Sequence, residues 1–371
     1  MHRLRTGVIG CGLVAQAMHL PFLGELGDRF EVAALCDISP QALGHAARRF
    51  PEARTHARWE DLLAEELDAV LVLTPGSHAP AAIAAAELER HVLVEKPMCL
   101  NPDEGRQMIA AAAAAGVVLM VGYMKRYDPA YEELASTLDR AALTFARITT
   151  LESPLEPYVE HLPLDRGARD VDPELLAALA ADDDARVELA LPGEDELCRR
   201  VYRTVLLDSM VHELNAVRGL LGEPTDLHFA RFAPAGSAVT ASLSFGAVEC
   251  AALWLDLPGI ARYEQDWAFY APEARASLRF PSPFLRNEPT RLVLEGGIAG
   301  TPTAWETTKL VSFDEAFRRE LVEFHAAVTE GRPPRTDGED GLRDVLLCQA
   351  IARAHAGGTA IAAPTAAGAP A

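Results

Sequence analysis

Gly7-Val8-Ile9-Gly10-Cys11-Gly12-Leu13-Val14-Ala15 follows a short apolar run and opens a helical pattern. This is where a dinucleotide fingerprint of the form G-x-G-x-x-G/A belongs. Gly10 permits a tight turn, and Gly12 lets the backbone come close to a pyrophosphate. Ala15 takes the third glycine's place, where a small residue lets helix and strand pack closely. The free N–H groups and positive dipole end of the helix, opening at Leu13 and Val14, would face the phosphates. Three small residues recur by chance, so an ordinary strand-to-helix turn competes with this reading until the surroundings are read.

Those surroundings extend the pattern. Glu31 to Cys36 reads as a second strand, and Asp37 stands at its end, about 20 positions past the fingerprint. An acid there is placed to accept hydrogen bonds from the adenosine ribose hydroxyls and would repel a 2′-phosphate. NAD is therefore the expected cofactor, with NADP left open. Through residue 122 strand-like runs (4–9, 30–36, 68–73, 91–94, 117–121) alternate with helix-like runs (12–25, 39–49, 58–65, 78–89, 102–115). Such alternation predicts a doubly wound parallel sheet, with its ligand along the carboxyl edge of the strands.

Two loops on that edge carry polar chemistry. Thr74-Pro75-Gly76-Ser77-His78 follows the strand 68–73, and Thr74 and Ser77 are placed to bond a nucleotide; a helix cap at Ser77 is the plainer use of that residue. Glu95-Lys96-Pro97 ends the strand 91–94. A lysine at the mouth of a parallel strand can hold a substrate hydroxyl and shuttle its proton, and the Lys96–Pro97 bond suits a cis turn. A surface ion pair between neighbours is the competing reading. Gly122 to Pro129 then crosses toward a second domain, bringing Lys125 and Arg126 with it.

Residues 143–151 read as the first strand of that domain. No period survives over 152–193, which holds five prolines and many acids; this predicts a long loop or short-helix insertion, with Tyr158 and His161 as candidate substrate contacts. Residues 194–221 then read as one long amphipathic helix, on which Asp208 and His212 share a face. An acid beside an imidazole can bind two adjacent hydroxyls and orient the ring. Strand signals follow to about 295, then helices over 313–329 and 341–355. Residues 359–371 are rich in Ala, Pro and Gly and are expected to be disordered.

The fingerprint, Asp37, Thr74-Pro75 with His78, Glu95-Lys96-Pro97, the segment 122–129 and Asp208-x-x-x-His212 together resemble the Gfo/Idh/MocA family of NAD(P)-dependent oxidoreductases. The resemblance covers roughly residues 3–358. It implies a dinucleotide-binding Rossmann domain over 1–122. It also implies a substrate-binding and oligomerisation domain over 123–358, an α+β unit with an open, largely antiparallel sheet, assembled as a homodimer or homotetramer. The activity implied is interconversion of a secondary alcohol and a ketone on a sugar, amino sugar or cyclitol-like ring. On this reading Lys96, Asp208 and His212 are catalytic, with Lys96 and His212 as acid/base relay. Gly10, Gly12, Leu13, Val14, Asp37, Thr74, Pro75, Ser77, His78, Glu95 and Lys96 hold the cofactor. Lys96, Lys125, Arg126, Tyr158, Asp208 and His212 meet the substrate. An NAD-dependent glycoside-cleaving enzyme and a non-catalytic dinucleotide sensor are the alternatives. The chain departs from the family pattern at Tyr202-Arg203-Thr204, Met210 and Asn215.

Composition bounds the rest. The chain has 371 residues, 49% of them hydrophobic, which suffices for two domains with cores. A net charge of −20 argues against nucleic acid and against an anionic membrane surface. Six scattered cysteines form no C-x-x-C pair, no run reaches the length of a membrane span, and no leader pattern opens the chain, so a cytoplasmic protein with reduced thiols is expected. No histidine has metal-ligand spacing, and no metal is expected.

Overall fold

A computed structural model describes residues 2–165, 169–357 and 361–362. The chain begins with β1 (Leu4–Ile9), a helical stretch over 13–25 that ends in α1 (Leu20–Glu25), β2 (Phe30–Cys36), α2 (Pro40–Arg49), β3 (Arg54–His56) and α3 (Trp59–Leu63). It continues with β4 (Ala69–Val72), α4 (Ala79–Glu87), β5 (His91–Glu95), α5 (Pro102–Ala115) and β6 (Leu119–Gly122). Next come α6 (Pro129–Thr137), β7 (Phe145–Glu152), α7 (Glu156–Val159), α8 (Pro173–Ala190), α9 (Glu196–Val201), a π-helical stretch Tyr202–Met210, and α10 (Val211–Leu221). The last elements are β8 (Asp226–Phe232), β9 (Ala238–Phe245), β10 (Val248–Asp256), β11 (Glu264–Ala271), β12 (Ala274–Phe280), β13 (Arg291–Gly297), β14 (Ala304–Leu310), α11 (Ala316–Glu330), α12 (Gly338–Gly357) and β15 (Ile361–Ala362).

Several helices begin the same way. Ser39, Asn101, Asp128 and Asp172 each stand before a proline and accept a backbone N–H of the first turn with the side chain. The side chain satisfies one of the donors that a helix start leaves open, and the proline's missing N–H costs nothing there.

The structure divides into two compact units. The first comprises Met1–Met124, Val159–Pro192 and Phe317–Val345; the second comprises Lys125–Tyr158, Gly193–Ala316 and Leu346–Ala371. In the first, six strands pair in the order β3-β2-β1-β4-β5-β6, every pair parallel. The order reverses between β1 and β4, the switch point at which ligands bind in such sheets. β4 is buried along its whole length, as a strand covered on both faces must be. In the second unit nine strands pair in the order β14-β13-β12-β11-β7-β10-β9-β8-β15. Only β7 and β10 run parallel; the other pairs are antiparallel. The expected fold class, a doubly wound parallel sheet plus an α+β unit with a largely antiparallel sheet, is what the chain adopts.

The structure departs from the sequence reading in several places, and two short or exposed strands, β3 and β14, were not expected. The segment expected as a loop or short-helix insertion contains α8, eighteen residues long. Residues 159–192 and 317–345 belong to the first unit, whereas one continuous second domain over 123–358 was expected. Residues 196–221 are not one regular α-helix, because Tyr202–Met210 is wound as a π-helix. Of the expected disordered tail, Ile361–Ala362 pairs with β8, and the remainder lies outside the described residues.

The first unit's outer segments are tied to its sheet. Thr336 donates its hydroxyl to the Val121 carbonyl (2.7 Å), and the Val121 N–H donates to the Thr336 carbonyl (2.8 Å). His325 lies 2.7 Å from the His2 carbonyl and edge-on to Phe30. Phe317, Leu321 and Phe324 of α11 are buried.

Candidate functional site

The first unit builds its candidate site on the carboxyl edge of the parallel sheet. Gly10 takes a φ of +95°, and a Cβ there would lie 2.7 Å from the Leu73 carbonyl carbon and 2.8 Å from the Thr74 nitrogen. Only glycine fits, so the β1 and β4 loops meet at the switch point. At Gly12 the opposite holds. The residue is exposed, and an added Cβ would meet nothing within 4 Å. That open backbone, at the start of a helix spanning 13–25, fits a dinucleotide pyrophosphate. Leu13 and Val14, half-buried, form the first helical positions.

Asp37 joins the loops after β1 and β2. Its Oδ2 accepts the Cys11 N–H (2.6 Å) and its Oδ1 accepts the Ser39 N–H (2.7 Å). A carboxylate offers about four acceptor positions, so two remain for ribose hydroxyls. Cys11 and Cys36 lie beneath it, and burial followed by the Asp37 charge pushes the Cys36 thiol up to about 12. All six cysteines are free and buried. Buried, protonated thiols are packing groups here.

Thr74 and Ser77 are half-buried and Pro75 is exposed along the β4–α4 loop. His78 turns inward. Its Nδ1 lies 2.7 Å from the Pro97 carbonyl and its Nε2 lies 2.7 Å from the Thr74 carbonyl. Burial lowers its pKa, so the ring is neutral and donates to one carbonyl at a time. His78, expected as a cofactor contact, ties the two loops together through these carbonyls.

Lys96, half-buried, follows β5, and the Lys96–Pro97 peptide is cis. Beside it Glu95 is buried. One oxygen lies 2.7 Å from His19 Nε2, and the other accepts the Lys96 N–H (3.0 Å). Burial alone would raise the Glu95 carboxyl. The His19 hydrogen bond and the charges of His19 and Lys96 outweigh it, and the pKa lies below the ordinary value. Glu320 of α11, fully buried, has no hydrogen bond to either oxygen among the described residues. Burial and the Glu95 charge push it well above the carboxylate range. His19 and Glu320 were missed in the sequence. The signal was present at Glu320, an acid within the apolar face formed by Phe317, Leu321 and Phe324.

The insertion meets this edge at four places. Gln16 exchanges hydrogen bonds with the backbone of Asp165 (2.8 and 3.1 Å). Asp170 accepts the Ser39 hydroxyl (2.7 Å) and the Gln41 N–H (2.8 Å). Asp183 accepts the Ser77 N–H (3.3 Å), and Arg186 pairs with Glu104 at the start of α5.

The second unit gathers the other expected residues. Lys125 is buried, its ammonium 3.4 Å from the Tyr263 hydroxyl and 4.9 Å from the Phe280 ring centre, with the Trp267 ring at 5.6 Å. Tyr158 accepts the Tyr263 N–H (2.6 Å), so Tyr158 and Lys125 converge on Tyr263. Arg126 donates to Asn215 (3.3 Å) and stacks toward Tyr131. Asp208 is exposed in the π-helical stretch, and His212, half-buried, lies in the first turn of α10. Their separation of four residues therefore spans a change of winding, not one α-helical turn. Next to Asp208, Ser209 donates to Glu152 (2.6 Å) and accepts from the Trp254 indole (2.9 Å), pinning that stretch to β7 and β10. Glu213, missed in the sequence, is buried and bonded by Thr150 and Gln265. Burial raises its pKa, and the nearby Lys125 charge opposes the rise.

Among the described residues no three His, Cys, Asp or Glu side chains group as a metal site, and no helix is long and apolar enough to cross a membrane.

Residues 4–123 match the model of the oxidoreductase family with an NAD-binding Rossmann fold, Gfo/Idh/MocA. This stretch of the chain carries the family's NAD-binding domain. The whole chain is 22% identical to the myo-inositol 2-dehydrogenase of Thermotoga maritima over 93% of its own length and 94% of that relative. It is 32% identical to inositol 2-dehydrogenase 3 of Saccharopolyspora erythraea, over 38% of this chain and 42% of the other. The match to an oxidoreductase of Bacillus subtilis likewise spans about half of that relative, 48%. In fold it is similar to the UDP-N-acetylglucosamine 3-dehydrogenase of Acidithiobacillus ferrooxidans, with a TM-score of 0.71 at 22% identity over 95% of this chain and 100% of the other. Levoglucosan dehydrogenase in complex with NADH and levoglucosan gives 0.75 at 17% identity, over 98% of this chain and 100% of the other.

Proposed function

We propose that this chain is an NAD-dependent oxidoreductase that interconverts a secondary alcohol and a ketone on a sugar, amino sugar or cyclitol-like ring. The observation that carries the reading is the edge of the parallel sheet. There the open Gly12 backbone, Asp37 with free acceptor positions, and Lys96 at the end of β5 belong to one compact unit. The inositol dehydrogenases among its relatives support a polyol ring as substrate. Bound there, the dinucleotide supplies or accepts the hydride. Gly10, Gly12, Leu13 and Val14 receive its phosphates at the helix start, Asp37 accepts from a ribose hydroxyl, and Thr74, Pro75 and Ser77 border it. Lys96 holds the substrate oxygen and passes its proton, with the buried Glu95 fixing the turn from which Lys96 projects. His212 shares the proton transfer and Asp208 binds a neighbouring hydroxyl; Lys125, Arg126 and Tyr158 shape the substrate side. Assembly is as a homodimer or homotetramer.

Fluorescence titration of the purified protein with NADH and, separately, NADPH tests the reading. Tighter binding of NADH, followed by NADH formation with members of a cyclitol and sugar panel, is the expected result. Well-folded protein that binds neither dinucleotide would overturn it.

A further inference from the structure

The insertion places a second carboxylate beside Asp37. Ser39 is the shared partner: its N–H donates to Asp37, and its hydroxyl donates to Asp170, which also accepts the Gln41 N–H. These bonds hold the Asp170 carboxyl below the ordinary range, so it is charged at neutral pH. Asp37 is the residue placed to accept from the ribose 2′-hydroxyl, and the 2′-oxygen is where NADP carries its extra phosphate. A buried serine hydroxyl and a backbone N–H at the start of the ten-residue α2 are the donors such a phosphate would use. Here Asp170 already holds both. The residues after Asp37 are Ile38-Ser39-Pro40-Gln41, with no arginine or lysine to meet a phosphate.

We propose that Asp170 is a second determinant of dinucleotide choice: its carboxylate fills the donor set a 2′-phosphate would need and repels that phosphate, so that selection for NAD is shared between β2 and the insertion. The inference rests on the dinucleotide-binding reading above. It differs from the action of Asp37, which selects by accepting from the ribose. Asp170 selects by occupation and charge, from a segment more than a hundred residues distant in sequence.

The test is the ratio of the NADPH and NADH dissociation constants, read by fluorescence titration of the whole protein. Asp170→Asn keeps the size and an acceptor oxygen for Ser39 while removing the charge; Asp170→Ala empties the donor set. Thermal melts confirm that each variant is folded. The expected result is a shift of the ratio toward NADPH by roughly tenfold or more, larger in Asp170→Ala. In the wild type the discrimination should also weaken with added salt more steeply than in Asp170→Asn. A wild type that prefers NADH, with an unchanged ratio in both folded variants, overturns the inference and leaves the function standing. A wild type that binds neither dinucleotide overturns both.

Discussion

Glu95 and Glu320 are two buried acids in one unit with opposite titration, and the sign of each follows from its partners. Glu95 is depressed, so the stability it contributes is present above the unfolded carboxyl value and is lost as pH falls through its folded value. Glu320 is raised by burial and by Glu95, so the folded chain keeps a proton that the unfolded chain releases. Stability then falls as pH rises from about 4.3 toward the raised value. Glu320→Gln removes that proton linkage. Thermal melts between about pH 5 and 8 should show a flatter decline than the wild type, and an unchanged slope would mean that Glu320 titrates as an ordinary carboxyl. Lys96 is the residue on which the proposed chemistry is most exposed. Lys96→Met should lower turnover by roughly 10²–10⁴-fold while NADH still binds. Full turnover in that variant would remove Lys96 from proton transfer. The positions of Gly10, Asp37 and Lys96 just past the ends of β1, β2 and β5 were legible in the sequence, because the apolar runs that form a parallel sheet mark where each strand stops. His19, Glu320 and Asp170 were not, because their partners are 76 to 131 residues away or lie on another element.

At the scale of elements, helix starts were the clearest signals and exposed helices the hardest to read. α8 carries the same Asp-Pro start as α6, yet it buries only Val187 and Ala190. With so little of its surface covered, it has no apolar stripe, and Asp182-Asp183-Asp184 made it read as a loop. β14 escaped for the same reason: an edge strand exposed along most of its length has no alternation to detect. The π-helical winding of Tyr202–Met210 was hidden because Ser209, the residue pinned to β7 and β10, looks like any surface serine in sequence. α10 supports a prediction against helix propensity. Gly219 lies within that helix, where alanine ordinarily gains about 1 kcal/mol. Here the added Cβ would come within 2.3 Å of the Arg126 guanidinium carbon and 2.4 Å of the Tyr131 hydroxyl. Both groups are buried and bonded to the same helix, Tyr131 to the Ala216 carbonyl and Arg126 to Asn215. Gly219→Ala should therefore destabilise by about 1–3 kcal/mol in urea unfolding, and a gain in stability would show that Arg126 and Tyr131 yield freely.

For the whole molecule, the sequence order of the elements disguised their grouping. Nothing in 317–345 distinguishes a helix that covers the parallel sheet from one that covers the antiparallel sheet, since both require the same apolar stripe. The grouping is set by pairs such as Thr336 with Val121 and His325 with His2. A fragment of residues 1–124 alone should therefore lack the cover supplied by Phe317, Leu321 and Phe324, and should melt without a sharp transition where the whole chain shows one. A cooperative melt of that fragment would show that α11 is dispensable to it. The same wiring reaches into protein synthesis. Chains leave the ribosome at about 5–20 residues per second, and the first unit is complete only when Val345 has been made. Its six strands thus wait on the order of 10–40 seconds for their last helices, while most of the other unit is still being translated. During that interval the nascent chain carries the finished parallel strands without the cover that Phe317, Leu321 and Phe324 supply.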